Sequence, residues 1–115
     1  MITYNDIYTH ALALIGETPS DATSDYSERA DLLIPDVIAS LGDADSLASW
    51  SPAKVTKTDV FFLDPRLEPA AAELLASLLV RPEDPEFAAR LAELSSKTAR
   101  ALTDVGSTRD AYSGL

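Results

Sequence analysis

Apolar side chains recur every three or four residues near the start of the chain, which is the spacing of an amphipathic helix. Thr3 and Asp6 have the spacing of a capping box, and Gly16 suits the left-handed position at which many helices end. The apolar face of this first predicted helix comprises Tyr4, Ile7, Tyr8, Ala11, Leu12 and Ile15.

A second apolar stripe predicts a helix that begins near Ser24 or Asp25 and ends at Gly42. Pro35 lies inside this stripe, and because proline removes one helical hydrogen bond we expect a single kinked helix. The apolar face of the second helix comprises Tyr26, Ala30, Leu33, Ile34, Val37, Ile38 and Leu41.

Two further helices are predicted in the second half of the chain. The third begins at Pro69 and is apolar apart from Glu73 and Ser77, which is typical of a helix buried on most sides. Such a helix is either the centre of the core or an oligomer contact. The fourth begins at Pro85, with Asp84 as its N-cap. The apolar stripe of the fourth helix comprises Phe87, Leu91, Leu94, Thr98, Ala101 and Leu102.

Residues 43–63 do not follow helical spacing. The stretch from Val55 to Leu63 is rich in β-branched and aromatic residues, which favour extended backbone. A short β segment there has no evident mate in the chain, so we expect it to need cover or a partner chain. The sequence therefore predicts a mainly α fold, a small bundle of about four helices over residues 1–105. An extended loop or short β segment at 43–63 joins helices 2 and 3, and a flexible C-terminal tail follows at 106–115.

Large apolar side chains outside the predicted helices are candidates for contacts with other molecules. Trp50, Phe61 and Phe62 either cap the helical core or anchor an interface. Tyr112 and Leu115 lie in the polar tail, which is either disordered or becomes ordered on a partner. The candidate interface residues are Trp50, Val60, Phe61, Phe62, Tyr112 and Leu115.

The composition of the 115 residues leaves little for catalysis or metal binding. The chain has no cysteine, which excludes disulfides, thiol catalysis and cysteine-ligated zinc. His10 is the single histidine, and no spacing singles out a carboxylate to accompany it. A calcium loop that began at Asp43 would place Leu47, Ala48 and Lys54 where ligands and the turn glycine are required. We therefore predict no catalytic, cofactor-binding or metal-binding residues and a protein that is not an enzyme.

Charge and hydropathy limit the classes of partner that we expect for this protein. No stretch approaches the roughly 20 apolar residues of a membrane span, and the N-terminus lacks the features of a signal peptide, so we expect a soluble protein with no membrane partner. The net charge is −10, and most of it lies in residues 1–64. Such a chain repels nucleic-acid phosphates. The charge either serves solubility or forms a face that avoids DNA or meets a basic partner.

Three segments, in order along the chain, carry a resemblance to a known family. They are TYNDIY at 3–8 with the following AL at 11–12 and IGE at 15–17, DYSERA at 25–30 before an apolar helix, and LEPAAA at 67–72. Over residues 3–41 and 64–102 the chain resembles the small head-completion proteins of tailed bacteriophages, the head–tail connector or adaptor family.

The resemblance implies a helical structural subunit of the virion with no enzymatic activity and no cofactor. Proteins of this kind form a ring below the portal protein, extend the DNA channel and give the next neck or tail-completion protein its platform. Extended loops and C-terminal segments make the contacts. We therefore expect a ring homo-oligomer in the virion neck, assembled in the host cytoplasm, that encloses DNA without sequence-specific binding.

An alternative from another class is an acidic regulatory protein, such as a DNA mimic, inhibitor or antitoxin, that acts on a basic partner. The salt dependence of binding distinguishes the connector from the regulator. A complex between charged faces weakens as the ionic strength rises, and an apolar contact does not. The carboxylates available for such a partner are Asp21, Asp25, Asp31, Asp36, Asp43 and Asp45.

Overall fold

The computed structural model describes residues 2–18, 20, 24–43, 47–48 and 56–113, with side chains up to Leu102 except that of Ser24. In this part of the chain the fold is mainly α, a small bundle of four helices, as the apolar spacing predicted. The helices are α1 (Tyr4–Leu14), α2 (Ser24–Leu41), α3 (Glu68–Val80) and α4 (Pro85–Ser113), and a 3₁₀ turn at Pro65–Leu67 leads into α3.

Both predicted ends of α1 are confirmed. The Thr3 side chain accepts a hydrogen bond from the backbone N–H of Asp6 at 3.3 Å, and the Thr3 N–H donates to the Asp6 carboxylate at 2.8 Å. These two bonds complete the capping box. Gly16 has φ of +81°, a left-handed conformation that glycine adopts without steric cost. The chain therefore turns away directly after α1.

Three of the four ends of α2 and α4 lie where the sequence pattern predicts them. α2 passes through Pro35 as one helix and ends just before Gly42. α4 begins at Pro85, where the Asp84 carboxylate accepts a hydrogen bond from the backbone N–H of Phe87 at 3.1 Å. The far end of α4 lies within the segment predicted as the C-terminal tail, and the backbone of residues 106–113 is helical there.

α3 lies at the centre of the bundle and packs against α1, α2 and α4. Its sequence allowed either a core helix or an oligomer contact, and its buried residues place it in the core. Its side chains with no exposed surface are Ala70, Ala71, Ala72, Leu75, Ala76 and Leu79. Alanine is small, so the neighbouring helices approach closely and exclude water from this centre.

Two serines join α3 and α4 in a reciprocal way. The Ser77 hydroxyl on α3 donates to the carbonyl oxygen of Ala88 on α4 at 2.6 Å. The Ser95 hydroxyl on α4 donates to the carbonyl oxygen of Ala70 on α3 at 2.7 Å. Both serines are buried, so each hydroxyl would cost free energy if it had no acceptor. The two bonds fix the register of the antiparallel helix pair.

The extended segment before α3 finds its mate within the chain. Thr3 and Val60 form an antiparallel β-bridge, and the backbone N–H of Phe61 donates to the carbonyl oxygen of Ile2 at 2.8 Å. The expectation that this segment has no intrachain mate is therefore wrong. Its mate is the short stretch just before α1, which is too short to show a strand pattern of its own.

Candidate functional site

The predicted contact residues around the β-bridge divide into buried and exposed ones. Phe61 is 5% exposed, and its ring meets the Tyr4 ring edge-on with centroids 6.1 Å apart. Phe61 therefore caps the helical core. Val60 and Phe62 are 43% and 42% exposed, so their side chains lie open beside the bundle.

The other predicted contact residues lie outside what the structure describes. Trp50 and Leu115 are outside the described residues, and Tyr112 belongs to the backbone of α4 with its side chain outside them. Their part in an interface stays a prediction.

His10 has a partner that the sequence pattern did not single out. Its Nδ1 lies 2.8 Å from Oε1 of Glu68, the first residue of α3. The two residues are 58 positions apart, so only the fold brings them together. The pair joins α1 to the start of α3, and neither side chain is fully buried. We interpret it as a link between these two helices.

Lys57 ties the segment before α3 to α2. Its ammonium group donates to the carbonyl oxygen of Ser27 and to the Asp31 carboxylate, both at 2.9 Å. The same group lies 5.1 Å from the centroid of the Tyr8 ring on α1, within the range of a cation–π contact. One lysine thus holds two helices and the extended segment together, and it neutralises one exposed carboxylate of α2.

Tyr26 and Arg29 join the start of α2 to the end of α3. The Tyr26 hydroxyl donates to the Glu83 carboxylate at 2.7 Å, just beyond α3. The Arg29 guanidinium donates to the carbonyl oxygens of Leu78 and Leu79 at 3.2 and 2.9 Å. These contacts fix the position of α2 against the central helix.

The Tyr26 contact predicts a decline in stability at alkaline pH. The hydrogen bond to Glu83, assisted by burial, raises the pKa of Tyr26 to about 12 from 10.0. The folded protein therefore holds this proton more firmly than the unfolded chain does. The resulting stabilisation is complete below pH 10 and is lost as the pH rises towards 12. Urea unfolding at several alkaline pH values measures this loss.

The variant Tyr26→Phe is the control for that decline. It cannot ionise at this position, so its free energy of unfolding falls less steeply over the same pH range. Burial also raises the pKa of Tyr4 and of Tyr8, but both residues are present in the two proteins. Only the difference between the proteins reports on Tyr26, and identical pH profiles would contradict the assignment.

A groove runs along the outer side of the helix pair formed by α3 and α4, mainly apolar towards Arg81 and with Ser40, Ser95 and Ser96 among its lining residues towards Arg100. It consists of two adjoining cavities of about 420 and 450 Å³ that share Leu74 and Ala92. Leu78 and Ala89 also line it, and the only charged side chains along it are arginines, Arg81 at one end and Arg100 at the other. Both arginines are exposed, and in the described part of the chain neither forms an ion pair. We call this surface the α3–α4 groove.

The opposite charge lies on the exposed side of α2. Leu32 is 76% exposed, the highest value among the large apolar side chains that stand out from the described surface. Glu28 and Asp36 lie one turn before and one turn after it, so the three share a helix face. Both carboxylates are exposed and lack an ion pair within the described residues. We call Glu28, Leu32 and Asp36 the acidic ridge.

Neither surface was assigned from the sequence alone. Leu74 and Leu78 belong to the apolar run of α3, which marked that helix as buried without showing which residues stay at the surface. Leu32 lies off the apolar stripe of α2, and an isolated exposed leucine is ordinary on protein surfaces. Its acidic neighbours at helical spacing are the signal that sets it apart.

The described part of the molecule has no group of three residues able to hold a metal ion. None of the helices in that part is both long enough and apolar enough to cross a bilayer. Comparisons with models of protein families, with characterised proteins and with solved structures found no match.

Proposed function

We propose that this chain is a structural protein of a tailed-phage virion, a head–tail connector. In this role it forms a ring below the portal protein, extends the DNA channel and carries the next neck or tail-completion protein. The α3–α4 groove carries the proposal, since it is partly apolar surface that the described residues leave open. A subunit that works by contact with neighbours needs such a surface.

The segments that resemble the connector family also support the proposal through their place in the bundle. TYNDIY at 3–8 supplies the cap of α1 and three of its core residues, and DYSERA at 25–30 supplies the contacts of α2 with the end of α3. LEPAAA at 67–72 opens the central helix. The resemblance therefore concerns residues that build the fold and not scattered surface positions.

The charge of the molecule is compatible with a wall around DNA. DNA that moves through a channel must not adhere to it, and acidic side chains repel phosphate groups. The net charge of −10 supplies such repulsion, and the exposed carboxylates of α2 are part of it. The ring would be held in the virion neck by protein contacts while the DNA remains free.

The alternative, an acidic regulator of a basic partner, has less support. Two of its carboxylates are occupied within the chain, because Asp25 pairs with Arg29 at 3.4 Å and Asp31 pairs with Lys57 at 2.9 Å. Asp36 and Asp43 are exposed, while Asp21 and Asp45 lie outside the described residues. A partner of this kind would meet fewer free charges than the sequence alone indicates.

The test of the proposed function is assembly on a portal. The chain is produced together with a candidate portal protein from the genome that encodes it, and the purified complex is imaged for a ring on one end of the portal. A connector gives such a ring. A chain that never binds the portal supports the acidic regulator instead. Complexes with basic proteins that dissociate steeply as the salt concentration rises also support the regulator.

Removing the residues after Val105 tests the predicted role of the C-terminal segment. The described core lies within residues 2–102, so we expect the shortened chain to unfold at nearly the urea concentration of the full chain. Binding to the portal should be abolished, because the contact residues Tyr112 and Leu115 are gone. Co-purification with the portal measures this loss, and unchanged binding by the shortened chain would refute the assignment.

A further inference from the structure

The acidic ridge and the α3–α4 groove are complementary in shape and in charge. The ridge presents an exposed leucine between two carboxylates that form no ion pair within the described residues. The groove presents apolar side chains and serines between two arginines that likewise form no ion pair with any described residue. A helix that places an apolar side chain in a groove, with opposite charges meeting at its edges, is a recurrent form of protein recognition.

The groove is longer than the ridge by an amount that arginine side chains can span. Glu28 and Asp36 are eight residues apart, which corresponds to about 12 Å along a helix. The groove extends beside α4 from Pro85, next to Arg81, to Arg100, and these fifteen residues correspond to about 22 Å. The difference is about 5 Å at each end. That gap is within the length of an arginine side chain folded inwards.

The ridge cannot occupy the groove of its own chain. α2 is fastened to the end of α3 by Arg29 and Tyr26, and the end of α2 lines the groove through Ser40 and Leu41. Leu32 meanwhile lies on the exposed side of the same helix. A ridge that fills this groove must therefore come from another molecule.

We propose that the occupant is a second copy of this chain, whose acidic ridge inserts Leu32 into the α3–α4 groove of its neighbour. Glu28 and Asp36 then approach Arg81 and Arg100 of that neighbour. Because the ridge and the groove are different surfaces, each copy keeps one of each free for a further copy. Such head-to-tail contacts close into rings when the rotation between copies allows it and otherwise give open filaments. The inference rests on the proposed function for the ring and adds the surfaces that meet in it.

The absence of cysteine in the chain makes a clean trapping experiment possible. Two single variants, Leu32→Cys and Ala89→Cys, place one thiol on the ridge and one in the groove, both at exposed positions. They are mixed at high concentration, alone and with the portal, and treated with a short bis-maleimide. Denaturing gels then measure the fraction of chain found as a cross-linked dimer.

We expect roughly tenfold more dimer from the ridge and groove pair than from a control pair of Ala13→Cys, an exposed position on α1, with Ala89→Cys. Little dimer should form from Leu32→Cys alone. Abundant dimer from that variant by itself would mean that two ridges face each other, and it would overturn the inference. Yields equal to the control pair, with and without the portal, would also overturn it.

Charge reversal provides a second readout that does not depend on the geometry of the linker. Arg81→Glu with Arg100→Glu in the groove partner should reduce the trapped fraction to the control level. Glu28→Arg with Asp36→Arg in the ridge partner should restore it, because opposite charges then meet again. A trapped fraction that stays the same after both pairs of substitutions would refute the charge complementarity.

The outcomes separate this inference from the proposed function. Trapping of the ridge and groove pair without any binding to the portal would keep the interface and reject the connector role. A ring on the portal in which Leu32→Cys and Ala89→Cys are not trapped would keep the connector role and reject this interface.

Discussion

Replacing Leu75 by alanine should lower the free energy of unfolding by about 2 to 5 kcal/mol, the usual cost of a leucine removed from a packed core. Leu75 has no exposed surface and lies at the middle of α3. Because α3 contacts all three other helices, a cavity there weakens the whole bundle. Urea unfolding measures the effect as a lower midpoint with an unchanged slope, which indicates the same two end states.

The same substitution at Leu32 is the matched control. Leu32 is 76% exposed, so Leu32→Ala should change the free energy of unfolding by no more than about 0.5 kcal/mol. The substitution is the same at both positions and only the burial of the leucine differs. Comparing the two variants therefore isolates the contribution of core packing to the free energy of unfolding. Equal losses at the two positions would contradict the placement of α3 at the centre.

The positions of the helices could be predicted because each helix carries its own signal. Thr3 and Asp6 form a capping box from neighbouring residues, and Asp84 caps α4 in the same local way. Apolar spacing then gives the buried face of α1 and α2. In α4 it does so only in part, since Leu94 of the predicted stripe is 47% exposed. The composition of α3, with alanine and leucine on nearly every side, predicts a helix buried on most sides, and the structure places it in the core. All of this information lies within a few residues along the chain.

Contacts between distant segments could not be predicted in this way. The β-bridge joins Thr3 to Val60, and the partner of His10 is 58 positions away at Glu68. A periodic pattern states which face of a helix is buried but not which helix covers it.

The candidate surfaces were partly visible in the sequence. The apolar run of α3 exceeded what one buried face requires, and that excess is the origin of the α3–α4 groove. Arg81 and Arg100 become its two ends only because α3 and α4 pack antiparallel. The acidic ridge could not be identified from the sequence, because the spacing of a leucine between two carboxylates is the same whether the leucine is buried or exposed.

The last turn of α3 explains why Arg29 should have a large effect on stability. Its four final carbonyl groups have no helical partners of their own. Those of Ser77 and Val80 accept hydrogen bonds from the backbone N–H groups of the turn that follows. In a continuing helix the Leu78 carbonyl group would accept a hydrogen bond from the N–H four residues later, but that residue is Pro82, which has no N–H. Arg29 supplies the missing donors for Leu78 and Leu79.

Arg29→Met should therefore lower the free energy of unfolding by about 1.5 to 3 kcal/mol, the range for hydrogen bonds that involve a charged group. Methionine keeps much of the apolar length of the side chain, so the loss reports the polar contacts of the guanidinium rather than packing: the two carbonyl bonds, the exposed pair with Asp25 and the contact with the Tyr26 ring. Arg29→Lys should fall between the two proteins, because a single ammonium group cannot reproduce the planar arrangement of donors. Urea unfolding of the three proteins under one set of conditions gives the order.

Arg66→Met is the control for this series. Arg66 also forms an ion pair, with Asp64 at 2.7 Å, but its side chain is 60% exposed and water can replace the partner. Its loss should be clearly smaller than that of Arg29, whose side chain is 25% exposed and whose acceptors end the central helix. If the two methionine variants unfolded at the same urea concentration, the arginine of α2 would be one more surface charge, and α3 would end without its help.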